Sequence, residues 1–426
     1  MIERACTCAQ KRHSIPTEVI EVSDHAIERV GDILKDYRRI FLVADDNTYQ
    51  VAGRRVEELL RERGCLSHTL VLSSPALPNA ESIGRVLMEA GRDRTVYDIN
   101  AWSLNPDYIL AVGSGSINDT CRMVSYRLGI PYGVVGTAPS MDGYASVVAP
   151  LLNGRNKIVY NCTIARHIII DLSVNAQAPY PLLLAGVGDI IGKYVAILDW
   201  EISRDRNGEY YCGQIADMVL KATEQCITAS AGLESRDAAA IRAVSEGLIL
   251  SGECIAFCGS SRPASGTEHM IGQTWEVMDV EEGKTPNLHG IEVGEGTFTA
   301  IELFRRLWRE TKDGALQALI GRYLPAFDRI EALQRRLRIP FTVTDRQRYV
   351  EGILRGRTFR DRYTVLQYLH DQGRLEEYAD AVYAPVMEKY CFGTFQERFP
   401  DWEARQRGAM RQQVRRAGAS GVVDNR

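Results

Sequence analysis

The first 145 residues alternate short apolar runs with longer segments of helical periodicity. IFLVADD (40–46), LSHTLVL (66–72) and DYILAVG (107–113) are rich in apolar residues, as buried parallel strands are. TYQVAGRRVEELLRERG, between the first two runs, has apolar residues at helical spacing and ends at a glycine. This β-α-β-α-β order predicts a parallel sheet with helices on both faces.

The pattern changes after this region. VVAPLLNGRNKIVYN predicts a hairpin that turns at Asn153-Gly154, and ARHIIIDLS (165–173) predicts another strand. From about residue 184, helical periodicity dominates the rest of the chain. We therefore predict an α/β domain at 1–180 and an all-helical domain at 181–400. Residues 401–426 are basic and lack an apolar face, so we expect a mobile tail.

Composition narrows the classes of protein to consider. The 426 residues suffice for two or three domains, and 45% hydrophobic with 25% charged residues is ordinary for a soluble globular protein. A net charge of -4 gives no reason to expect nucleic acid or an anionic membrane as partner. We find no apolar run of the roughly 20 residues that span a bilayer and no secretory signal, so we expect a cytoplasmic protein.

The ten cysteines are scattered along the chain. Cys6 and Cys8 form a CxC, and Cys254 and Cys258 lie one helical turn apart. We find neither a second CxxC nor a nearby histidine that would complete a zinc knuckle with either pair. The favoured interpretation is reduced, mostly buried thiols.

The motif GSGSIND (113–119) follows a predicted strand and opens a predicted helix. Its glycines would let the backbone approach a pyrophosphate, and the exposed N–H groups of the helix start favour a negative charge. Asn118 stands where GxGxxG has its third glycine. A tight turn without a ligand is therefore the alternative.

Two acidic residues end the first predicted strand. A carboxylate at Asp45 or Asp46 could bind an adenosine ribose and would repel a 2′-phosphate, which favours NAD over NADP. The alternative is that one of them caps the following helix.

Three residues form a candidate metal ligand set. His269 ends SGECIAFCGSSRPASGTEH, His289 lies in NLHG, and Asp189 lies in LAGVGDIIGKYVAILDW. Two imidazoles and a carboxylate suit a divalent metal with open positions for substrate. Alternatively, Asp189 occupies the first turns of a helix, where the macrodipole favours a negative charge.

Five motifs occur in a particular order: GSGSIND, TAPSMDGYAS (137–146), GVGDIIGKYVAILDWEIS (186–203), SRPASGTEH (261–269) and LHG (288–290). Over residues 15–400 the chain resembles the sn-glycerol-1-phosphate dehydrogenases, in particular the bacterial AraM-like branch. This branch belongs to the superfamily of glycerol dehydrogenase, iron-containing alcohol dehydrogenases and dehydroquinate synthase. The resemblance implies a dehydroquinate synthase-like fold, with an α/β dinucleotide-binding domain, an all-α domain and the active site in the cleft between them.

The resemblance also implies roles for individual residues. Asp189, His269 and His289 would bind one divalent cation, which is nickel, zinc or iron in such enzymes, and Asp142 would face the substrate. NAD(H) or NADP(H) would lie against the glycine motif and the loop that follows the next strand. The candidate cofactor-binding residues are Asp45, Asp46, Gly113, Gly115, Ser116, Ile117, Asn118, Asp119, Thr137, Ala138, Pro139, Ser140 and Ser146.

Other candidates have two interpretations each. Asp142 precedes a glycine and could be a turn residue. Lys193 could be the i,i+4 partner of Asp189 or could neutralise a substrate phosphate. Arg262 could bind phosphate or form a structural salt bridge. Gln273 stands where relatives have a histidine, and it can bind substrate but cannot carry a proton. Either the proton moves through water and Asp142, or the substrate differs.

The expected reaction is the metal-dependent, reversible reduction of dihydroxyacetone phosphate to sn-glycerol 1-phosphate by a homodimer or larger homo-oligomer. A dehydrogenase of a related polyol or phosphosugar is one alternative. A dehydroquinate synthase-like cyclase is another, although such enzymes have a ligand glutamate followed three residues later by lysine. Here Asp189 is followed four residues later by Lys193. A non-catalytic dinucleotide-binding protein is the third.

Overall fold

A computed structural model describes residues 1–6, 8, 12–90, 105–154 and 156–402. The strands in these ranges are β1 (Ile2–Arg4), β2 (His13–Ile15), β3 (Val19–Ser23), β4 (Ile40–Asp45), β5 (Leu66–Leu72), β6 (Tyr108–Gly113), β7 (Tyr132–Gly136), β8 (Val148–Asn153), β9 (Asn156–Asn161) and β10 (His167–Asp171). The predicted tail falls almost wholly on residues 403–426, which lie outside the described residues.

Helices alternate with strands in the first part of the chain, and the described elements after Asp171 are helices. They are α1 (Val30–Ile33), α2 (Asp46–Thr48), α3 (Arg54–Glu62), α4 (Ala80–Ala90), α5 (Gly115–Leu128), α6 (Leu172–Asn175), α7 (Tyr180–Ile191), α8 (Lys193–Asn207), α9 (Gly213–Ala229), α10 (Ala238–Cys258), α11 (Thr267–Glu281), α12 (His289–Glu310), α13 (Gly314–Gly321), α14 (Leu324–Leu337), α15 (Arg346–Gly356), α16 (Val365–Asp371), α17 (Leu375–Tyr390) and α18 (Phe395–Arg398). A π-helical turn, Tyr49–Gly53, joins α2 to α3.

The main sheet has six parallel strands in the order β3-β10-β7-β6-β4-β5. The predicted parallel sheet is confirmed, together with the helical C-terminal part. Every residue of β6, β7 and β10 is buried, because helices cover both faces of the sheet. Edge strand β3 was not predicted, and its five residues, VIEVS, are all only partly buried.

Alternate residues of the central strands point to opposite faces of the sheet and belong to two hydrophobic cores. Leu42 and Leu110 face a core formed with the helices α1 and α3, whereas Phe41 and Ile109 face the opposite side. The core on that second side is continuous with the interior of the helical part. The sheet and the helices after residue 180 therefore share one packed interior.

Strands β8 and β9 form the predicted hairpin, with Asn153 paired to Asn156. Gly154 in its turn has a φ of 60°, a left-handed conformation that glycine adopts without a Cβ penalty. Strand β9 contacts α11, so the hairpin of the α/β part reaches the helical part.

Helices α7 and α8 form a nearly continuous segment, Tyr180–Asn207, with Gly192 in a helical conformation between them. By length and composition alone this segment of 28 residues could cross a membrane, which corrects our statement that no run is long enough. However, 94% of its most apolar window is buried inside the protein, as in a core helix. Strand β10 ends at Asp171 and α7 begins at Tyr180, and the domain limit at 180 remains a prediction.

Candidate active site

A cavity of about 1160 Å³ separates the carboxyl ends of the sheet strands from the helical part. It exceeds the roughly 300–1,000 Å³ of a usual small-molecule site. Asp45 at the end of β4, Ser114 after β6 and Thr137 after β7 line one side. His269 and His289 line the other. In open α/β sheets ligands bind at this edge, at the carboxyl ends of the strands.

The three predicted metal ligands meet at this cavity. Asp189 lies near the end of α7, His269 in the first turn of α11, and His289 is the first residue of α12. One ligand atom from each lies within 4.8 Å of the other two, and Nε2 of His269 is 3.5 Å from Oδ1 of Asp189. The placement of Asp189 in the first turns of a helix was wrong. The N-terminus of its own helix therefore does not stabilise its charge.

Each histidine is oriented by a glutamate behind it. Nδ1 of His269 lies 2.7 Å from Oε1 of Glu268, and Nδ1 of His289 lies 2.6 Å from Oε1 of Glu276. A hydrogen on each Nδ1 leaves each Nε2 as the free ligand atom. Burial lowers the pKa of both imidazoles, which favours the neutral form that binds metals. The donor set therefore fits a divalent cation.

Lys193 is completely buried beneath this site and does not line the cavity. Its Nζ lies 2.6 Å from Oδ1 of Asp189, 2.8 Å from Oδ2 of Asp142 and 3.1 Å from the carbonyl oxygen of Ala264. These three partners use all three of its donors. Lys193 is thus the i,i+4 partner of Asp189, and the alternative of a direct contact with substrate phosphate is not supported.

Asp142 lines the cavity and is tied to the same network. Its backbone N–H donates to Oδ2 of Asp189 at 2.9 Å, and the Ser251 hydroxyl donates to its Oδ2 at 2.8 Å. The carboxyl group of Asp142 is therefore held beside Asp189 with a face toward the cavity.

Gln273, one turn after His269 on α11, is bound to Arg360. Arg360 was not among the residues predicted from the sequence. Nη2 of Arg360 donates to Oε1 of Gln273, and Nη1 donates to the Ser261 hydroxyl, both at 2.9 Å. Arg360 lines the cavity, and no carboxylate of the described residues lies within ion-pair distance of it. Burial lowers its pKa. No sequence signal distinguishes it among the arginines of RGRTFRDR (355–362).

Arg262 has the structural role that was one of its two interpretations. Its Nε donates to Oε1 of Glu209 at 2.7 Å, and its Nη2 lies 3.2 Å from the Ser203 hydroxyl. It does not line the cavity. Arg262 therefore ties the segment before α11 to the loop between α8 and α9.

Most of the predicted cofactor residues line the cavity. These are Asp45, Asp46, Gly115, Ser116, Ile117, Asp119, Thr137, Ala138, Ser140 and Ser146. Gly113, Asn118 and Pro139 do not. A Cβ on Gly113 would lie 2.7 Å from Cβ of Ile117, so this glycine allows the strand to pack on α5. Asn118 is fully buried, and its amide donates toward Asp119 and the Gly143 carbonyl.

Asp119 forms a buried ion pair, 2.8 Å from Nη1 of Arg122. Burial raises the pKa of Asp119 to about 6 despite this partner. Arg122 also donates to the carbonyl oxygens of Gly143, Tyr144 and Val148. Arg122 was not among the residues predicted from the sequence, because an arginine within a helix is typical of the protein surface. It holds the loop that carries Asp142.

Asp45, at the end of β4, and Asp46, which follows it, make different contacts. The Asp45 side chain caps α2 by accepting from the backbone N–H groups of Asn47 at 3.0 Å and Thr48 at 2.8 Å. The capping alternative therefore applies to Asp45, although this residue also lines the cavity. Oδ2 of Asp46 accepts from the Ser74 N–H at 3.1 Å.

Iron-containing alcohol dehydrogenases of known structure share this arrangement of a parallel sheet followed by a helical part. The family model described as iron-containing alcohol dehydrogenase matches residues 21–179. Glycerol dehydrogenase from Schizosaccharomyces pombe has a similar structure, with a TM-score of 0.63 at 17% identity over 92% of this chain and 94% of that one. An iron-containing alcohol dehydrogenase from Thermotoga maritima has a TM-score of 0.63 at 13% identity, over 88% and 99%.

Relatives in sequence indicate the particular family of this chain. The glycerol-1-phosphate dehydrogenase of Halalkalibacterium halodurans is 31% identical over 306 residues, 70% of this chain and 74% of the relative. That of Bacillus licheniformis is 31% identical over 382 residues, 87% and 93% of the two chains. That of Methanosarcina barkeri is 30% identical over 302 residues, 70% and 80%. The chain belongs to the glycerol-1-phosphate dehydrogenase family.

Proposed function

We propose that this protein catalyses the reversible, NAD(P)H-linked reduction of dihydroxyacetone phosphate to sn-glycerol 1-phosphate with one divalent cation. The observation that carries the proposal is the meeting of Asp189, His269 and His289 at a cavity whose opposite wall is the glycine motif. The relatives at about 30% identity carry the name glycerol-1-phosphate dehydrogenase with NAD(P)+ as cofactor.

Asp189, His269 and His289 would hold the cation. A cation there supplies Lewis-acid polarisation of the substrate carbonyl. Glu268 and Glu276 keep the two imidazoles in the tautomer that this role needs, because each accepts the hydrogen of an Nδ1. The identity of the cation, whether nickel, zinc or iron, is left to the assay below.

Arg360 would bind the substrate phosphate. It is a partly buried guanidinium on the cavity wall without a carboxylate partner among the described residues, which is the arrangement that favours an anionic ligand. Its contact with Gln273 explains how glutamine can replace histidine in this chain. The amide holds Arg360 through Oε1 and leaves its NH₂ group to donate to substrate.

Asp142 would accept a substrate hydroxyl. Its carboxyl group lies on the cavity wall beside Asp189 and is fixed by Ser251 and Lys193. Since Gln273 cannot carry a proton, the proton for the reduced carbonyl oxygen would pass through Asp142 or a water in the cavity. Lys193 is a positioning residue, because it holds both acids and does not line the cavity.

The cofactor would lie along the N-terminus of α5 and the 137–146 loop. The N–H groups of the first turn of α5, which begins at Gly115, would receive the pyrophosphate. Asp46, on the cavity wall after β4, favours NADH over NADPH because it would repel a 2′-phosphate. A homodimer or larger assembly and a cytoplasmic location complete the proposal.

The test is NADH oxidation with dihydroxyacetone phosphate by protein stripped with a chelator and resupplied with nickel, zinc or iron. We expect metal-dependent turnover that is lost in Asp189→Asn and His269→Ala. Dihydroxyacetone without phosphate should react much more slowly, since it cannot engage Arg360. Equal rates for the two substrates would instead indicate a glycerol dehydrogenase-like enzyme. Metal binding without net NADH oxidation would overturn the proposed reaction.

A further inference from the structure

A second group of metal-binding side chains lies outside the cavity of the candidate active site. It consists of Cys6, Cys8, His13 and Cys212, and one ligand atom from each lies within 4.8 Å of those of the other three. We predicted plain buried thiols on the ground that no histidine lies near the CxC pair. His13, however, follows Cys8 by five residues. Cys212, about 200 residues further along the chain, is brought to the group by folding.

The spacing of the four ligand atoms suits a tetrahedral cation. Zinc bonds of about 2.3 Å to sulfur and about 2.0 Å to nitrogen place two such ligands about 3.5 to 3.8 Å apart. The Cys8 sulfur is 3.4 Å and the Cys212 sulfur 3.6 Å from Nε2 of His13. The Cys6 and Cys212 sulfurs are 3.4 Å apart. None of the ten cysteines, all of which lie at described positions, is in a disulfide.

His13 is held in the tautomer that a metal ligand needs. Its Nδ1 lies 3.0 Å from the carbonyl oxygen of Phe257 at the end of α10. A carbonyl can only accept, so Nδ1 carries the hydrogen and Nε2 presents its lone pair to the sulfurs. His13 is only 2% exposed, so the ring cannot turn away to solvent.

Hydrogen-bond donors lie close to two of the sulfurs, although burial raises the pKa of the Cys6 thiol to about 11. The Cys8 N–H donates to the Cys6 sulfur at 3.3 Å, and the Tyr210 hydroxyl lies 3.7 Å from the Cys8 sulfur. Cys212 is the N-cap residue of α9, so its sulfur lies at the start of that helix. Similar donors to thiolate sulfur surround structural metal sites.

We propose that Cys6, Cys8, Cys212 and His13 bind a structural zinc ion, separate from the cation of the active site. The three thiols release their protons to solvent when the ion binds. All four tetrahedral positions are filled by protein, which leaves none for substrate and makes the site structural. The ion ties Cys6 and Cys8 to the start of α9 and, through His13, to the end of α10.

The first experiment counts metal ions per chain by mass spectrometry in four proteins. We expect the wild-type protein to carry one zinc ion more than Cys8→Ser. The control Cys391→Ser, which alters a similarly half-buried cysteine outside the cluster, should keep the wild-type content. His289→Ala should lose the active-site cation and keep the cluster zinc, so the two sites and the two proposals are tested separately.

The second experiment needs no change to the cluster and therefore holds if Cys8→Ser fails to fold. Zinc-edge X-ray absorption of full-length His289→Ala should show about three sulfur ligands near 2.3 Å and one nitrogen near 2.0 Å. A zinc content that is the same in the wild-type protein and Cys8→Ser would overturn the proposal. So would a zinc shell without sulfur, or a Cys6–Cys212 disulfide in peptides from a non-reducing digest.

Discussion

Oε1 of Glu276 lies 2.6 Å from Nδ1 of His289, and the other oxygen of Glu276 pairs with Lys157 on the β8–β9 hairpin. The Glu276 side chain is 1% exposed. One buried carboxylate therefore connects a candidate metal ligand of the helical part to the hairpin of the α/β part. This contact connects the hairpin to the wall of the cavity that carries the two histidines.

Glu276→Gln tests this connection. Glutamine retains the shape but loses the charge that orients His289 and neutralises Lys157, so we expect metal affinity to fall by about 10- to 100-fold. Competition with a fluorescent chelator measures it. Glu281→Gln, on the same helix but exposed and paired with Arg355, is the matched control and should bind metal as the wild-type protein does. Equal affinities of Glu276→Gln and the control would contradict the prediction.

Arg360→Ala tests the phosphate contact. Hydrogen bonds to a charged group contribute about 1.5–3 kcal/mol, so kcat/KM for dihydroxyacetone phosphate should fall by roughly 10- to 150-fold. The rate with unphosphorylated dihydroxyacetone should change little. Arg357→Ala, which removes an arginine bound to Gln367 outside the cavity, serves as control. A parallel loss for both substrates would show that Arg360 supports the fold and not the phosphate.

Gly290→Ala tests the close approach of α7 and α12. A Cβ at Gly290 would overlap the Ala185 carbonyl, so the helices that carry Asp189 and His289 would have to separate. We expect a loss of about 1–3 kcal/mol in the free energy of unfolding, with weakened metal binding. Urea unfolding and metal titration measure the two effects.

The control for this substitution is Gly314→Ala. A Cβ at Gly314 would meet no atom within 4 Å, so stability should change by no more than about 0.5 kcal/mol. If Gly290→Ala were as stable and bound metal as tightly as this control, the helix contact would not set the metal geometry.

The buried carboxyl group of Glu295 should make the free energy of unfolding depend on pH. It is completely buried on α12, accepts hydrogen bonds from Thr342 and Val343, and burial raises its pKa from 4.5 to about 8. The folded state therefore holds this proton more strongly than the unfolded state. The contribution of Glu295 to the free energy of unfolding is fully present below about pH 4.5. It is lost as the pH rises through about 8.

Glu295→Gln removes the titration and keeps the side-chain shape. The difference in unfolding free energy between the wild-type protein and the variant should fall by up to about 1.4 kcal/mol per pH unit across this window, the slope for one proton. Urea unfolding at several pH values measures this difference. A difference that stays constant from pH 5 to pH 8 would show that Glu295 is ionised in the folded protein throughout.

The sequence predicted the central strands and the edge strand β5, but not the opposite edge strand β3. Strands β4, β6 and β7 are buried on both faces and so appear as apolar runs, whereas β3 is partly exposed along its length and has no such run. The hairpin at Asn153-Gly154 was predicted because its turn chemistry is local. Side chains that support the site were missed, since their partners are distant in sequence.

By itself, the sequence determined the alternation of strands and helices, the glycine motif after β6 and the identity of Asp189, His269 and His289 as candidate ligands. Each of these depends on periodicity or on residues close together in the chain. Only the tertiary structure decided that Lys193 is enclosed by its partners, that Arg360 faces the cavity and that Cys212 joins Cys6, Cys8 and His13. Those outcomes depend on which side chains meet across helices far apart in sequence, and no local pattern encodes such contacts.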